Sequence, residues 1–475
     1  MVKPSTDSAP IPPLLQNLFQ LLQAHRPAFR QERPFRRAWG LLFAELFTFA
    51  RHTLTQELVS LGLTDQDWSA WYRLFSRPRF AEPDLNACLL RETLEHVPPE
   101  QPYVVVTDTT QVPRTSRKLP GVGWLKAPRT PVFQVGIHRA QRFLQGAWLT
   151  PLVEGFSRAI PLRFLPAFPE KAAPAGIPPQ KDWQAGLAFL TWVRQGLDQL
   201  GRETQWVLAL ADGGFDRLGW WAGLPERVVG VARTAKNRVL YALPSSHPGP
   251  GRPAMYGQRA PTPQEWLHRG VHFEQRAVGV RGHSRRMRFS VQGPFVREGL
   301  PERPVFLLLV KGSTQKIGQR RSKYPGPRYY LISAVARDGA WQLPLPIGEI
   351  LAWLWQRWEV EVAHRELKSN LGLGEKQCWG MRSAVTSVQW SAWVYGVLVL
   401  AGYRTWGLLG GPRSPTRWWG GGRRWSFNDL WRAYRQALWG KSEFHPGWTP
   451  TGDNWLKMEI WLTNRDNAVT GSARI

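Results

Sequence analysis

Tyr103-Val-Val-Val-Thr-Asp-Thr-Thr110 reads as a short buried strand closed by a carboxylate, and Trp206-Val-Leu-Ala-Leu-Ala-Asp-Gly-Gly214 repeats the pattern later in the chain. Unbroken apolar runs of this kind suit strands covered on both faces. A carboxylate at the end of such a strand is costly to hold near a core without a partner, and a strand end places its side chain rigidly. Read singly, Asp108 and Asp212 serve equally well as turn or helix-capping residues, and the glycines after Asp212 suit a simple turn. The pair acquires a chemical meaning only with a third partner.

Working outward, Val132–His138 and Phe143–Val153 are expected to be strands joined by a turn around Arg139–Arg142. Lys181–Leu200 carries Trp183, Leu187, Leu190 and Val193 at helical spacing. A short helix follows Asp212, then a strand over Arg227–Ala232. Three strands, helix, strand, helix, strand predicts an α/β layer fold with a mixed sheet, in the order of an RNase H-like core.

Upstream, residues 1–13 are rich in Pro and Ser and are expected to be loose. Residues 14 to about 95 read as helical: Leu42, Leu46 and Phe49 keep helical spacing, and Thr64-Asp-Gln-Asp67 predicts a capping-box start for a helix carrying Trp68, Trp71, Tyr72 and Phe75. Arg30, Arg33, Arg36, Arg37, Arg51, Arg73, Arg77 and Arg79 give this bundle a basic face, which fits a reader of DNA ends and a merely solvated surface alike.

Downstream, residues 237–345 are rich in Gly, Pro and Arg, with β-like stretches at 277–280, 286–292, 304–310 and 328–335 and basic loops at Arg281–Arg286 and Lys316–Lys323. They predict a β-rich insertion. A long helix over Ile347–Leu371, an apolar helix near 386–404, a Gly/Arg/Trp linker over Gly410–Trp425 and a capped helix from Ser426-Phe-Asn-Asp429 complete the chain. The expected organisation is a helical N-terminal DNA-binding domain (1–100), a catalytic core in two parts (101–236 and 346–409) around the insertion (237–345), and a basic Trp-rich C-terminal region (410–475).

The bulk properties narrow the function. With 475 residues the chain exceeds one ordinary core. Lys and Arg outnumber Asp and Glu by 62 to 35, a net charge of +27 that a polyanionic partner would neutralise. Cys88 and Cys378 stand far apart, which excludes a cysteine zinc site or a disulfide framework and suits a reducing cytoplasm. No secretory signal is evident, and the apolar run at 393–402 falls short of the roughly 20 residues of a membrane span, so no membrane partner is expected. Without a Walker-type glycine loop an NTP-driven motor is not expected.

The third partner lies in Trp355-Gln-Arg-Trp-Glu-Val-Glu-Val-Ala-His-Arg-Glu-Leu-Lys368. Arg357, Glu361, His364 or Arg365, and Lys368 fall on one helical stripe, beside an apolar stripe of Leu351, Trp355, Trp358 and Val362. By itself this stripe equally describes an exposed salt-bridge ladder. Phosphodiester cleavage supplies a reason to assemble the three acids. Two Mg²⁺ ions about 3.5–4 Å apart activate a nucleophile and stabilise a leaving oxyanion, and such hard cations prefer carboxylate oxygens on rigid elements. Arg357, Arg365 and Lys368 would hold phosphates without competing for metal.

With these residues in place the sequence resembles the DDE transposases of bacterial insertion sequences, in the cut-and-paste group with a β-strand insertion before the last acid. That group's third motif is Y-x2-R-x3-E-x6-K; Arg357, Glu361 and Lys368 keep its gaps, and Leu354 stands at the Tyr position. Asp108-Thr109-Thr110 matches the first motif, and Ala211-Asp212-Gly213-Gly214 the second. The resemblance spans about 100–375 and implies that Asp108, Asp212 and Glu361 bind two Mg²⁺ ions (Mn²⁺ as a substitute) and that Arg357 and Lys368 contact DNA. It further implies that the protein binds terminal inverted repeats of double-stranded DNA, joins 3′-OH ends to a target, and acts as a dimer in a synaptic complex, in a bacterial cytoplasm at the nucleoid. Glu359 and Glu366 rival Glu361, and Asp216 rivals Asp212. Trp266 and Trp341 are candidates for the tryptophan with which this group accommodates a flipped base; among 27 tryptophans neither is assigned. Another RNase H-fold nuclease, or a non-catalytic DNA-binding descendant, remains an alternative.

Overall fold

The computed structural model describes residues 11–439 apart from 117–118, 120, 128–135, 245–253, 313–314, 318–320, 324–325 and 414–422. Much of the expected linker at 410–425, part of the basic stretch at 316–323 and most of the expected loose start at 1–13 therefore lie outside the described residues.

Five helices come first: α1 (Pro13–Ala24), α2 (Glu32–Phe47), α3 (Leu54–Ser60), α4 (Ser69–Ser76) and α5 (Glu82–Leu94). The helix α4 begins later than its sequence suggests. Asp67, not Thr64, serves its start, accepting the Ser69 N–H at 2.9 Å.

Four strands follow: β1 (Tyr103–Pro113), β2 (Val122–Lys126), β3 (Ile137–Leu149) and β4 (Ala159–Pro166). One expectation fails here. The turn around Arg139–Arg142 does not exist, because β3 runs straight through it; its polar residues sit where β3 extends between β1 and β2, pairing Ala140 with both Pro113 and Gly123. Of the strand expected at Val132–His138, residues 132–135 lie outside the described residues. The strand β4 went unread because Pro161 and Pro166 interrupt its apolar pattern. Prolines are tolerated there because β4 pairs only with β3, next to a bulge at Gly146/Ala147.

After β4 come α6 (Asp182–Gln199), β5 (Val207–Ala211), α7 (Leu218–Ala222) and β6 (Val228–Arg233). The strands β1, β3 and β4 are antiparallel in turn, whereas β5 pairs parallel with β1 and β6 parallel with β5. The resulting order β4-β3-β1-β5-β6, with α6 crossing over between β4 and β5, is that of an RNase H-like core.

The insertion contributes β7 (Tyr241–Ala242), α8 (Pro263–His268), β8 (Glu274–Val280), β9 (His283–Arg297), β10 (Leu300–Lys311), β11 (Gln315–Ile317), β12 (Arg321–Lys323), β13 (Arg328–Ser333), β14 (Val335–Arg337) and β15 (Ala340–Gln342). It does not stand apart from the core. The strand β13 pairs antiparallel with β6, and β10, β9, β8 and β7 continue the same sheet to eleven strands.

The chain closes with α9 (Ile347–Gln356), α10 (Glu359–Asn370), α11 (Met381–Trp406) and α12 (Phe427–Trp439). The single helix expected over Ile347–Leu371 is thus divided at Arg357–Trp358, where the Val360 and Glu361 N–H groups bond three residues back, to Arg357 and Trp358. The helix α11 is longer than expected and apolar enough by length and composition to cross a membrane, yet 89% of its most apolar window is buried in the protein. It packs on α1, α4, α5 and β4, as a core helix does.

The helix α6 covers one face of the sheet, with Phe189 lying against Gly146 of β3, while α10 and α11 cover the other. The β1 residues Val104, Val105 and Val106 are buried between these layers. The Phe189 ring approaches Gly146 so closely that a Cβ there would fall 2.4 Å from it. Gly146→Ala is therefore expected to cost about 1–3 kcal/mol through overpacking. Urea denaturation measures it, and an unchanged midpoint would contradict this packing.

Candidate active site

Register brings the first two acids together. Parallel pairing of β1 and β5 ends at Thr107 opposite Ala211, so Asp108 and Asp212 are the next residues on neighbouring strands. Asp108 does not close its strand, as its sequence suggests; β1 continues to Pro113 because β3 pairs with it throughout. Asp212 does close β5 and caps a short 3₁₀ turn, accepting the Gly214 N–H at 2.8 Å.

The third acid comes from α10, which packs across β1. Glu361 is partly exposed and accepts a hydrogen bond from Arg357 Nη2 at 2.8 Å across the division between α9 and α10. The electrostatics report the convergence. Burial first, and then the nearby Asp212 charge, push the Asp108 carboxyl up to about 7; Glu361 adds to the rise, while the Thr109 N–H and Arg357 oppose it. Asp212 and Glu361 thus act on the partly buried Asp108 from neighbouring elements, with Arg357 as the cation beside them, and carboxylate oxygens are the donors that a hard divalent ion suits. Asp108, Asp212 and Glu361 could hold a metal, although their ligand atoms do not all lie within 4.8 Å of one another.

The rival acids have other work. Asp216 is buried and accepts from Trp221 Nε1 (3.0 Å), Thr234 Oγ1 (2.6 Å), Arg238 Nε (3.0 Å) and Arg297 Nη1 (3.0 Å), tying the insertion to the core. Glu359 pairs with Arg424 at 2.7 Å and lies 3.9 Å from Arg281. Glu366 is held by Arg158 at 2.9 Å and Tyr395 at 2.5 Å. Both glutamates thus brace α10 on sides other than that of Glu361. Arg365 and Lys368 are exposed one and two turns beyond Glu361. Leu354, at the Tyr position, is half-buried against the core. Trp266 is half-buried on α8, and Trp341 is exposed on β15.

The structure adds residues that sequence reading missed. Asp182, at the start of α6, pairs with Arg142 of β3 at 2.5 Å, and Arg142 also reaches Thr109 Oγ1 at 3.4 Å. Burial raises the Asp182 carboxyl, Arg142 opposes that rise and Asp212 adds to it. A helix-opening acid gives no sequence signal beyond ordinary favourable placement in the first turn.

A second acidic group already holds an internal cation. Ligand atoms of Glu45, His52 and Glu57 lie within 4.8 Å of one another, all buried. The Lys376 ammonium is already among them, 2.7 Å from Glu57 and paired with Glu45, while His52 Nδ1 meets Glu45 at 2.6 Å. An internal cation therefore occupies the position that a metal would take, and the cluster joins α2 and α3 to the segment after α10.

The raised Asp108 carboxyl has a sign. A folded-state value of about 7 against an ordinary 3.8 stabilises the fold below about pH 4, and that contribution is lost as pH rises through about 7. Without divalent ions, wild type should lose thermal stability relative to Asp108→Asn between those values, and Mg²⁺ should restore wild type alone. A flat difference across that range, or equal Mg²⁺ stabilisation of the variant, would contradict the site.

Comparison with known proteins bears on the chain as a whole. A search of curated proteins finds no match. Among solved structures, the chain is similar to a piggyBac transposase in a synaptic complex with hairpin DNA, at 12% identity and a TM-score of 0.40, over 97% of this chain and 86% of that one. The family model described as DDE superfamily endonuclease matches residues 18–287, which include Asp108 and Asp212 and stop short of Glu361. The chain belongs to the DDE superfamily of endonucleases.

Proposed function

We propose that this endonuclease is a DNA transposase of a bacterial insertion sequence, which binds the terminal inverted repeats of its element, cuts at them and joins the 3′-OH ends to target DNA. The observation that carries the reading is the convergence of Asp108, Asp212 and Glu361 from β1, β5 and α10, with Arg357 on Glu361. Divalent ions, two Mg²⁺ or Mn²⁺ held by the three carboxylates, would supply activation of the attacking oxygen and stabilisation of the leaving one.

The chain's own residues then account for the rest. Water attacks phosphorus at the element end and the P–O3′ bond breaks, leaving a 3′-OH. That hydroxyl attacks a target phosphorus, and a target 3′-OH leaves, so one phosphodiester replaces another. Arg357, now on Glu361, would transfer its guanidinium to a phosphate, and Arg365 and Lys368 would extend the cationic track along α10. A second basic area supports duplex binding. Arg37 is held below the usual arginine range by partial burial and by the Arg33 and Arg79 charges, a like-charge cluster that a phosphate backbone would relieve. We place the protein at the nucleoid of a bacterial cytoplasm, acting as a dimer when two DNA ends are paired.

The test is cleavage of a duplex carrying the element ends in Mg²⁺. Wild type should cut at the ends, and Asp108→Ala, Asp212→Ala and Glu361→Ala should bind DNA without cutting it. Full cleavage by any one variant removes that residue from the site, cutting without regard to the repeats favours a general nuclease, and binding without cutting by wild type favours a non-catalytic descendant. The triple variant Arg33→Gln/Arg37→Gln/Arg79→Gln should bind more weakly. Its slope of log affinity against log salt should become shallower by about 2–3. An unchanged slope would take the cluster out of the DNA interface.

A further inference from the structure

Two buried polar side chains next to the carboxylates make no hydrogen bond among the described residues. Gln145, on β3, is fully buried, and neither its amide nitrogen nor its amide oxygen meets a partner. It is the cross-strand neighbour of Asp108 on one side and of Phe164 on the other. Cross-strand partners share a sheet face with Cβ atoms about 4.5–5.5 Å apart, so the Gln145 amide belongs to the Asp108 side of the sheet.

His364 lies on α10, three residues after Glu361, and its buried Nε2 is likewise unpartnered. Its ring stands edge-on to Phe164, with centroids 6.3 Å apart. Burial, with some help from Lys368, lowers its pKa to about 3, so the ring is neutral and has one N–H and one acceptor nitrogen. The row Phe164–Gln145–Asp108 on the sheet thus runs beneath Glu361 and His364 on the helix. Unpaired amide atoms in such a place are destabilising, and a leucine of similar size would fill the same space without that penalty.

We propose that Gln145 is a positioning residue for the metal site. Around a bound metal its amide nitrogen would donate to the Asp108 carboxylate and its oxygen would accept from His364 Nε2, contacts not made in this structure, and so fix Asp108 and α10 in the orientation that binds metal. The proposal rests on the reading of Asp108, Asp212 and Glu361 as that site. One Asp108 oxygen already accepts the Thr109 N–H at 2.8 Å, so a second donor would complete the orientation of the carboxylate. Partners of this kind typically account for 10–100-fold in metal affinity.

The test is Mn²⁺ binding to the full-length protein without DNA, by calorimetry, alongside thermal unfolding of the metal-free protein. Gln145→Leu should melt at or above the wild-type temperature while its Mn²⁺ dissociation constant rises about 10–100-fold. His364→Leu should weaken binding in the same direction, and His364→Gln, which keeps a donor, should restore it. Unchanged Mn²⁺ affinity in Gln145→Leu overturns the proposal, as does a loss of affinity matched by a loss of thermal stability. Asp108→Ala separates the two levels. If it binds Mn²⁺ like wild type, the reading of the site fails; if it loses Mn²⁺ while Gln145→Leu keeps it, only the role of Gln145 fails.

Discussion

Parallel pairing of β1 with β5 sets the rest of the molecule. Because Thr107 lies opposite Ala211, two carboxylates leave neighbouring strands at one level, and their mutual repulsion is built into the fold. That arrangement persists only if the elements carrying the charges cannot move apart. The sheet meets this need with strands buried on both faces, and the third acid arrives on a helix packed across β1.

Holding α10 in place requires charge as well as packing. Glu359 and Glu366 lie on the same helix as Glu361, and each is tied to a distant segment: one to Arg424 and Arg281, the other to Arg158 and Tyr395. Arg158 also stacks on Trp425 and donates to its carbonyl, so the stretch Arg424–Trp425 acts as an internal brace. Breaking such a pair leaves an uncompensated buried charge, which costs more than the pair contributes when intact. Arg297 on Asp216 and Lys376 between Glu45 and Glu57 do the same for the insertion and for the N-terminal helices. The arginine-rich composition therefore divides into internal braces and exposed cations.

The apolar strands around Tyr103–Thr107 and Trp206–Ala211 were legible in the sequence because full burial leaves an unbroken apolar run, and the four β-like stretches of the insertion were legible for a related reason. Glu361 was singled out by its spacing from Arg357 and Lys368, which a helix turns into a stripe. What failed depended on partners far away in the chain. The Arg139–Arg142 stretch looks like a turn until β1 and β2 are seen to flank it, and β4 is hidden by prolines that only an edge strand accepts. No local pattern announces that β13 pairs with β6, or that Arg424 and Trp425 turn inward. Asp182 and Gln145 carry no motif at all; they matter through position in the fold.

Asp108, Asp212 and Glu361 are the proposed metal site. Anomalous diffraction from crystals grown with Mn²⁺ and an element-end duplex would locate the bound ions. Manganese peaks are expected among those three carboxylates and none within Glu45, His52 and Glu57, where Lys376 already supplies the cation. Manganese bound in the Glu45 cluster, with no peak beside Asp108, would contradict the proposed site.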